Sequence, residues 1–198
     1  MIIEAIKKFW KFLGEDTWLS WIVSVVLAFL IVKFIFFPGL SLLLATNLPL
    51  VVVESGSMHH PGSFVGNAIG SENEFELWWN EKGDWYKEKG IEESEAKNWP
   101  LKTGLEMGDI VVISGYKTPE KGDIIIFNAD QKHPIIHRII DVKEINGEVV
   151  YETKGDNNEG QLVFEKDVPK DAVIGRAVFR IPKIGLIKLA FVKLLGIF

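Results

Sequence analysis

The side chains of this sequence that can do hydrolytic chemistry are a serine after an apolar run and a small set of histidines. Ser57 follows the β-branched run 50–53, and Gly56 relaxes the backbone before it. A serine hydroxyl at a strand end, with backbone N–H groups nearby, can act as a nucleophile beside an oxyanion site. Most serines in such a setting are turn residues. A nucleophilic role needs a base, and the histidines are His59, His60, His133 and His137.

The histidines differ in what their surroundings predict. His137 lies in an apolar run typical of a strand, as either a satisfied sheet histidine or the base for Ser57. We expect His59 and His60 to be exposed loop residues, because adjacency does not aim an imidazole back at the Ser57 hydroxyl. His133 and His137 would lie roughly 13 Å apart in a strand, too far to share zinc. We therefore predict no metal site.

A predicted turn with an acidic residue could provide a third member of a serine–histidine–carboxylate site. Asp156 lies in 154–158, which follows a predicted strand and is dense in turn-forming residues. This segment is either a tight Asx turn or a turn whose carboxylate orients an imidazole.

Short strands with turn signals dominate the second half of the chain. We predict strands at 109–114, 123–128, 135–145, 148–154 and 172–180. Asn146-Gly147 joins two of them as a two-residue hairpin. Because no helix alternates with the strands, the pattern argues against a doubly wound parallel sheet. The prediction is a mainly β protein with a small antiparallel, curled or barrel-like domain made of 38–60 and 108–181.

Residues 61–107 form a predicted insert of partly helical structure. Residues 71–97 hold nine acidic and four basic side chains. Aromatic residues recur at helical spacing, and Gly83 predicts one bent helix or two short ones. We expect this aromatic stripe to pack on the β domain; contact with the membrane surface or a bound peptide is the alternative. The stripe consists of Phe75, Trp78, Trp79, Trp85 and Tyr86.

An N-terminal transmembrane helix is predicted at 18–37. This segment has three polar residues, Ser20, Ser24 and Lys33, and as a helix it spans roughly 30 Å, the thickness of a hydrocarbon core. Pro38-Gly39 is expected to break the helix. A cleavable signal peptide would have a shorter apolar region, and a buried core helix would rarely be so uniformly apolar.

Lysines before the predicted span indicate its orientation. Lys7, Lys8 and Lys11 precede it, and positive residues favour the cytoplasmic side. The prediction is a cytoplasmic 1–17 and an extracytoplasmic β domain. The apolar segment 182–198 is short for a span, so we expect it to lie at the membrane surface; a buried terminal helix is the alternative.

Composition excludes several other classes of function. The 198 residues include 22 Lys and Arg against 27 Asp and Glu, a net charge of -5, which argues against nucleic-acid binding. The absence of cysteine excludes disulfides, thiol catalysis and cysteine-based zinc sites.

Four motifs in a fixed order resemble the type I signal peptidases. They are Ser-Gly-Ser-Met at 55–58, Gly-Asp-Ile-Ile-Ile-Phe at 122–127, His-Arg-Ile at 137–139 and Lys-Gly-Asp-Asn-Asn at 154–158. The likeness is closer to the archaeal and endoplasmic-reticulum branch, because bacterial members carry lysine where this chain has His137. It extends over the anchor, 48–60 and 101–185.

The resemblance implies a membrane-anchored serine endopeptidase that removes signal peptides from exported preproteins. It implies Ser57 as nucleophile, His137 as general base, and the Ser57 N–H with the Ser55 hydroxyl as oxyanion donors. No metal or cofactor is implied. The expected partners are signal peptides and the lipid bilayer of a cell membrane or an endoplasmic-reticulum-type membrane. A need for other membrane subunits stays open.

The chain departs from the family pattern where relatives commonly carry a second aspartate, which is Leu162 here. We therefore predict that Asp156 orients His137. The alternatives for that task are a later acid (Glu159, Glu165 or Asp167) or a Ser/His pair with a backbone carbonyl. Leu162 also favours a rival function, a membrane-anchored, non-catalytic binding module that keeps the fold. A Ser/Lys peptidase with Lys154 or Lys132 as base is a further rival.

Overall fold

A computed structural model of the protein describes residues 1–62 and 72–194. The chain divides into two compact units, Met1–Leu43 and Leu44–Phe198. Residues 63–71 of the predicted insert and 195–198 of the predicted C-terminal segment lie outside the described residues.

The N-terminal unit is helical. Helix α1 spans Ile2–Leu13 and α2 spans Trp18–Ile31. A π-helical turn, Val32–Phe36, continues α2 into α3, Phe37–Leu44. Together they make a continuous apolar helix, Trp18–Leu44, of 27 residues. By length and composition it is the one helix among the described residues suited to crossing a membrane.

The expectation that Pro38-Gly39 breaks this helix is wrong, because the helix runs on to Leu44. A proline ring inside an α-helix clashes with the carbonyl four residues earlier, and proline has no N–H to donate. The π turn ends at Phe36, two residues before Pro38. Its wider i→i+5 bonding inserts an extra residue there, which relieves the clash.

The second unit is built on a seven-stranded antiparallel sheet. The strands are β1 (Leu50–Val52), β2 (Ile110–Ser114), β3 (Ile124–Phe127), β4 (Ile135–Ile145), β5 (Glu148–Lys154), β6 (Val168–Pro169) and β7 (Val173–Ile181). Their order in the sheet is β1-β2-β7-β3-β4-β5-β6, which confirms the predicted curled, mainly β fold. Asn146 and Gly147 have φ of 56° and 85°, as a type I′ hairpin turn requires.

The hydrophobic core lies on both faces of the sheet, and β3 is buried along its whole length. Ile124 and Ile126 belong to one cluster, with Met58 and Leu105, while Ile125 and Phe127 belong to another. Because successive side chains of a strand point to opposite faces, β3 links the two clusters. The strand beside it, β4, is therefore held in a fixed position.

Two helices of the insert pack on the sheet. Helix α4 spans Glu72–Glu88 and α5 spans Glu93–Ala96. The interruption expected at Gly83 is not observed, because α4 continues through this residue. Gly83 instead leaves room for the Trp79 ring, since a Cβ there would lie 2.9 Å from it. The predicted burial of the aromatic stripe is confirmed, because Phe75, Trp78, Trp79 and Tyr86 cluster with Ile140 of β4 and Trp85 lies partly buried against them.

A short helix, α6 (Leu186–Leu194), ends the described chain. Its start packs closely on the sheet unit, because a Cβ at Gly108 would lie 2.4 Å from Leu186. Lys188 Nζ lies 3.0 Å from Glu54 Oε1. Ile187, Phe191 and Leu194 are exposed at i, i+4 and i+7, so they form one apolar stripe.

Candidate active site

Ser57 lies in a turn just beyond the first strand. After β1, the Val53 N–H donates to Asp109 O at 2.9 Å, and the His59 N–H then closes a turn on Gly56 O at 3.1 Å. This turn leaves Ser57 half-buried at the surface. Its Oγ lies 3.2 Å from Ser55 Oγ. The serine is therefore held by the sheet yet open to a substrate.

The imidazole of His137 meets the Ser57 hydroxyl, with Nε2 at 3.0 Å from Oγ. His137 is buried on β4, opposite Ile125 of β3. Its other ring nitrogen, Nδ1, contacts Glu165 Oε1. This carboxylate is fully buried, on the 3₁₀ turn Val163–Glu165, and its Oε2 accepts the Leu162 N–H. Carboxylate, imidazole and hydroxyl thus form one continuous row.

The expected contact of Asp156 with His137 is not made, because both ring nitrogens of His137 have other partners. The Asp156 carboxylate instead accepts from Arg138 Nε at 2.9 Å and Nη2 at 2.7 Å, and pairs with His60 Nε2 at 3.0 Å. Arg138 directly follows His137 on β4, so the two side chains leave on opposite faces. Asp156 lies on the Arg138 side, and Glu165, one of the alternatives, lies on the His137 side.

The Arg138–Asp156–His60 cluster is fully buried. Burial alone would raise the Asp156 pKa, but the Arg138 charge and the hydrogen bonds from His60 and Arg138 outweigh it and hold this pKa well below its usual range. Burial lowers the His60 pKa, with Asp156 opposing the shift. His60 is thus not the exposed loop residue we expected. His59 is partly exposed and pairs with Glu106 at 2.7 Å.

The turn that carries Asp156 also holds the Ser57 turn, through two hydrogen bonds from Asn157. The Asn157 N–H donates to Ser57 O at 2.8 Å, and Asn157 Nδ2 donates to Gly56 O at 3.0 Å. A Cβ at Gly155 would lie 2.8 Å from His137 Nε2, so glycine is the residue that fits. The Lys-Gly-Asp-Asn-Asn motif therefore holds the Ser57 turn through Asn157, and its Gly155 lets the chain approach the His137 ring closely.

Neither candidate lysine replaces the imidazole at Ser57. Lys154 is fully buried; its Nζ donates to Gly155 O at 3.1 Å and lies 4.9 Å from the ring centroids of both Trp85 and Tyr86. Burial lowers its pKa to about 8, although the Asp156 charge opposes the shift. Lys132 is exposed. The hydroxyl–imidazole contact favours a Ser/His arrangement.

Sequence reasoning gave Glu165 only as an alternative and missed Arg138 and His60. A signal for Glu165 was available, since it follows Leu162 by three residues and a single helical turn returns such a side chain toward that position. Nothing in the local sequence indicated that His60 is buried, because its partners, Asp156 and the Trp78 ring, come from distant segments.

Comparison with known proteins gives relatives of partial coverage. No family model matches the chain. It is 33% identical to the human signal peptidase complex catalytic subunit SEC11C over 100 residues, 44% of this chain and 50% of that protein. The SEC11 subunit of Lachancea thermotolerans is 26% identical over 169 residues, 78% of this chain and 72% of that protein.

A bacterial relative matches a shorter stretch. Signal peptidase I W of Bacillus subtilis is 39% identical over 46 residues, 23% of this chain and 24% of that protein. The chain spans about half the length of the mammalian relatives it matches. These proteins confirm the resemblance first seen in the order of the motifs.

Proposed function

We propose that this chain, a relative of the type I signal peptidases, is a membrane-bound serine endopeptidase that removes signal peptides from exported preproteins. The observation that carries the proposal is the 3.0 Å contact between Ser57 Oγ and His137 Nε2. A buried carboxylate lies on the far side of the same imidazole. Ser57 and His137 each belong to one of the four motifs that stand in the family's order, while Glu165 lies outside them.

The chemistry follows from the row of three groups. His137 takes the Ser57 proton as Oγ attacks the scissile carbonyl, and then passes that proton to the leaving amine. Water next hydrolyses the acyl-enzyme by the same route in reverse. Glu165 keeps the proton of the neutral ring on Nδ1, which leaves Nε2 as the acceptor, and stabilises the imidazolium once it forms.

The developing oxyanion needs donors near Ser57. Following the resemblance, we assign the Ser57 N–H and the Ser55 hydroxyl to this role. The 3.2 Å separation of the two hydroxyl oxygens supports the assignment of Ser55. The family's preference for small residues before the cut predicts a shallow, apolar substrate pocket.

Membrane attachment suits a substrate that is itself an apolar segment. The helix Trp18–Leu44 is long and apolar enough to anchor the chain, and Lys7, Lys8 and Lys11 before it favour an extracytoplasmic peptidase unit. The exposed stripe of Ile187, Phe191 and Leu194 on α6 supports the proposal that the C-terminal segment lies at the lipid surface. Other membrane subunits are compatible with this arrangement.

Cleavage of a preprotein by the purified full chain in detergent or proteoliposomes tests the proposal. Ser57→Ala and His137→Ala should each lower kcat by about 10⁴-fold or more, since they remove members of a concerted row. His133→Ala is the matched control, because this histidine is exposed and outside the row. Full turnover in Ser57→Ala would sink the proposal, and a wild-type chain that binds preprotein without cutting it would favour the non-catalytic module.

A further inference from the structure

Trp78 of the insert contacts the turn that holds Ser57. Trp78 of α4 is 1% exposed. Its indole Nε1–H donates to Asp156 O at 2.9 Å. The same indole stacks on the imidazole of His60, with centroids 4.4 Å apart and planes 6° apart. One side chain of the insert thus contacts both the turn behind the active site and the buried histidine that pairs with Asp156.

The acceptor of the Trp78 bond belongs to a peptide group that also holds Ser57. The carbonyl of Asp156 and the N–H of Asn157 are the two ends of one planar trans peptide. The indole holds the carbonyl end, and Ser57 O accepts from the N–H end at 2.8 Å. Fixing the oxygen fixes the direction of the N–H, and hydrogen bonds in such a chain strengthen one another.

Among the described residues, the other contact to the carbonyl oxygen of this peptide is weak. Lys154 Nζ lies 3.5 Å from Asp156 O, a long contact, and has a closer acceptor in Gly155 O at 3.1 Å. The space around the turn is also tight, because Gly155 lies against the His137 ring. A small rotation of the peptide would therefore move Ser57 and His137 relative to each other.

We infer that Trp78 is a positioning residue for the Ser57–His137 pair, acting through the Asp156–Asn157 peptide. The inference rests on the proposed function and extends it, since it makes the insert part of the machinery that orients the nucleophile. The insert's acidic, solvent-facing surface is not needed for this role; the indole N–H is.

Trp79 provides a matched control on the same helix. Trp79 is 4% exposed and belongs to the same aromatic cluster, yet its Nε1–H has no hydrogen-bond partner in the described part of the chain. Trp78→Phe and Trp79→Phe remove the same atoms from the same cluster. Only the first removes a bond to the turn.

Two measurements on the full chain in detergent test the inference. Trp78→Phe should lower kcat on a preprotein about two- to tenfold with KM unchanged, the size expected for one lost neutral hydrogen bond. Hydrogen exchange of the Asn157 amide should quicken by a similar factor. Trp79→Phe should change neither. Equal kcat and equal Asn157 exchange in the two variants would overturn the inference.

A shape-preserving variant separates the hydrogen bond from packing. Replacing Trp78 with 3-benzothienylalanine puts sulfur where the indole has N–H and keeps the bicyclic ring. The same kcat loss and faster Asn157 exchange are expected; wild-type values would overturn the inference even if Trp78→Phe failed to fold. The exchange readout does not depend on cleavage. If the wild-type chain cut no preprotein, the proposed function would fail visibly, and the catalytic part of this inference with it.

Discussion

Two carboxylate–histidine pairs lie on opposite sides of β4, and they serve different ends. On one side Glu165 contacts His137, whose other nitrogen meets the Ser57 hydroxyl. On the other side Asp156 contacts His60, whose ring stacks on Trp78. The pairs are chemically alike. They differ in what lies beyond the imidazole and in whether solvent reaches that end.

In the proposed mechanism, the group next to the second ring nitrogen distinguishes the two histidines. His137 Nε2 faces a half-buried hydroxyl and can exchange a proton with it, whereas His60 Nδ1 is buried with no partner in the described residues. The two carboxylates also differ because one of them, Asp156, is bound by Arg138. Arg138 binds Asp156 through two nitrogens, so that carboxylate compensates a permanent positive charge and has little capacity left for an imidazolium. A carboxylate beside a histidine is therefore insufficient evidence of a catalytic triad.

The largest expected effect is a loss of turnover, which distinguishes Glu165 from Asp156. Glu165→Gln should lower kcat by about 10³- to 10⁴-fold, because an amide stabilises the wrong tautomer of His137 and cannot stabilise its imidazolium. The melting temperature should stay close to that of wild type, so the loss of turnover would not result from unfolding.

Asp167→Asn is the control for Glu165→Gln, since Asp167 is exposed two residues along. It should keep wild-type turnover. A Glu165→Gln enzyme with wild-type kcat would mean that the buried carboxylate is structural and that the two pairs do not differ as argued.

The second prediction concerns stability. Asp156→Asn leaves the Arg138 guanidinium buried without its counter-charge, which costs about 3–5 kcal/mol of unfolding free energy. The Asp156 pKa is held below its unfolded value, so its contribution is present above about pH 4 and is lost as pH falls below that value. Thermal melting at several pH values should show the gap between wild type and variant closing under acid.

Asp141→Asn, on the exposed part of β4, is the control for that measurement and should melt like wild type. A fall in kcat at low temperature, where Asp156→Asn stays folded, should be much smaller than the fall in Glu165→Gln. The reverse order would restore Asp156 as the acid that orients His137.

Local patterns predicted much of the fold, and distant contacts explain what they missed. The β4–β5 hairpin follows from Asn146-Gly147, and the aromatic stripe of the insert is buried as its helical spacing indicates. The choice between Asp156 and Glu165 depends on how two segments approach opposite faces of β4, which no local pattern encodes. Pro38 was misjudged because the π turn before it is a feature of backbone geometry.

The smallest expected effect concerns Lys154, the rival base, whose ammonium lies beside the turn that carries Asp156. If Lys154 were the base, Lys154→Met would abolish turnover. We expect turnover to survive, because the Ser57 hydroxyl contacts His137, while the Lys154 ammonium donates to Gly155 O and lies over two aromatic rings.

The pH dependence of stability gives an independent readout for the same lysine. Burial lowers the Lys154 pKa from 10.5 to about 8. Between these values the unfolded chain binds more protons than the folded one, so wild-type stability rises with pH across this window, by up to about 3 kcal/mol. Lys154→Met lacks this pH-dependent contribution. The stability of wild type relative to the variant should therefore increase from pH 8 to pH 10. Lys166→Met, at an exposed site, should track wild type throughout. Parallel melting curves of Lys154→Met and wild type across that window would show that the ammonium is solvated, and the buried side of β4 would then be less closed to water than its contacts indicate.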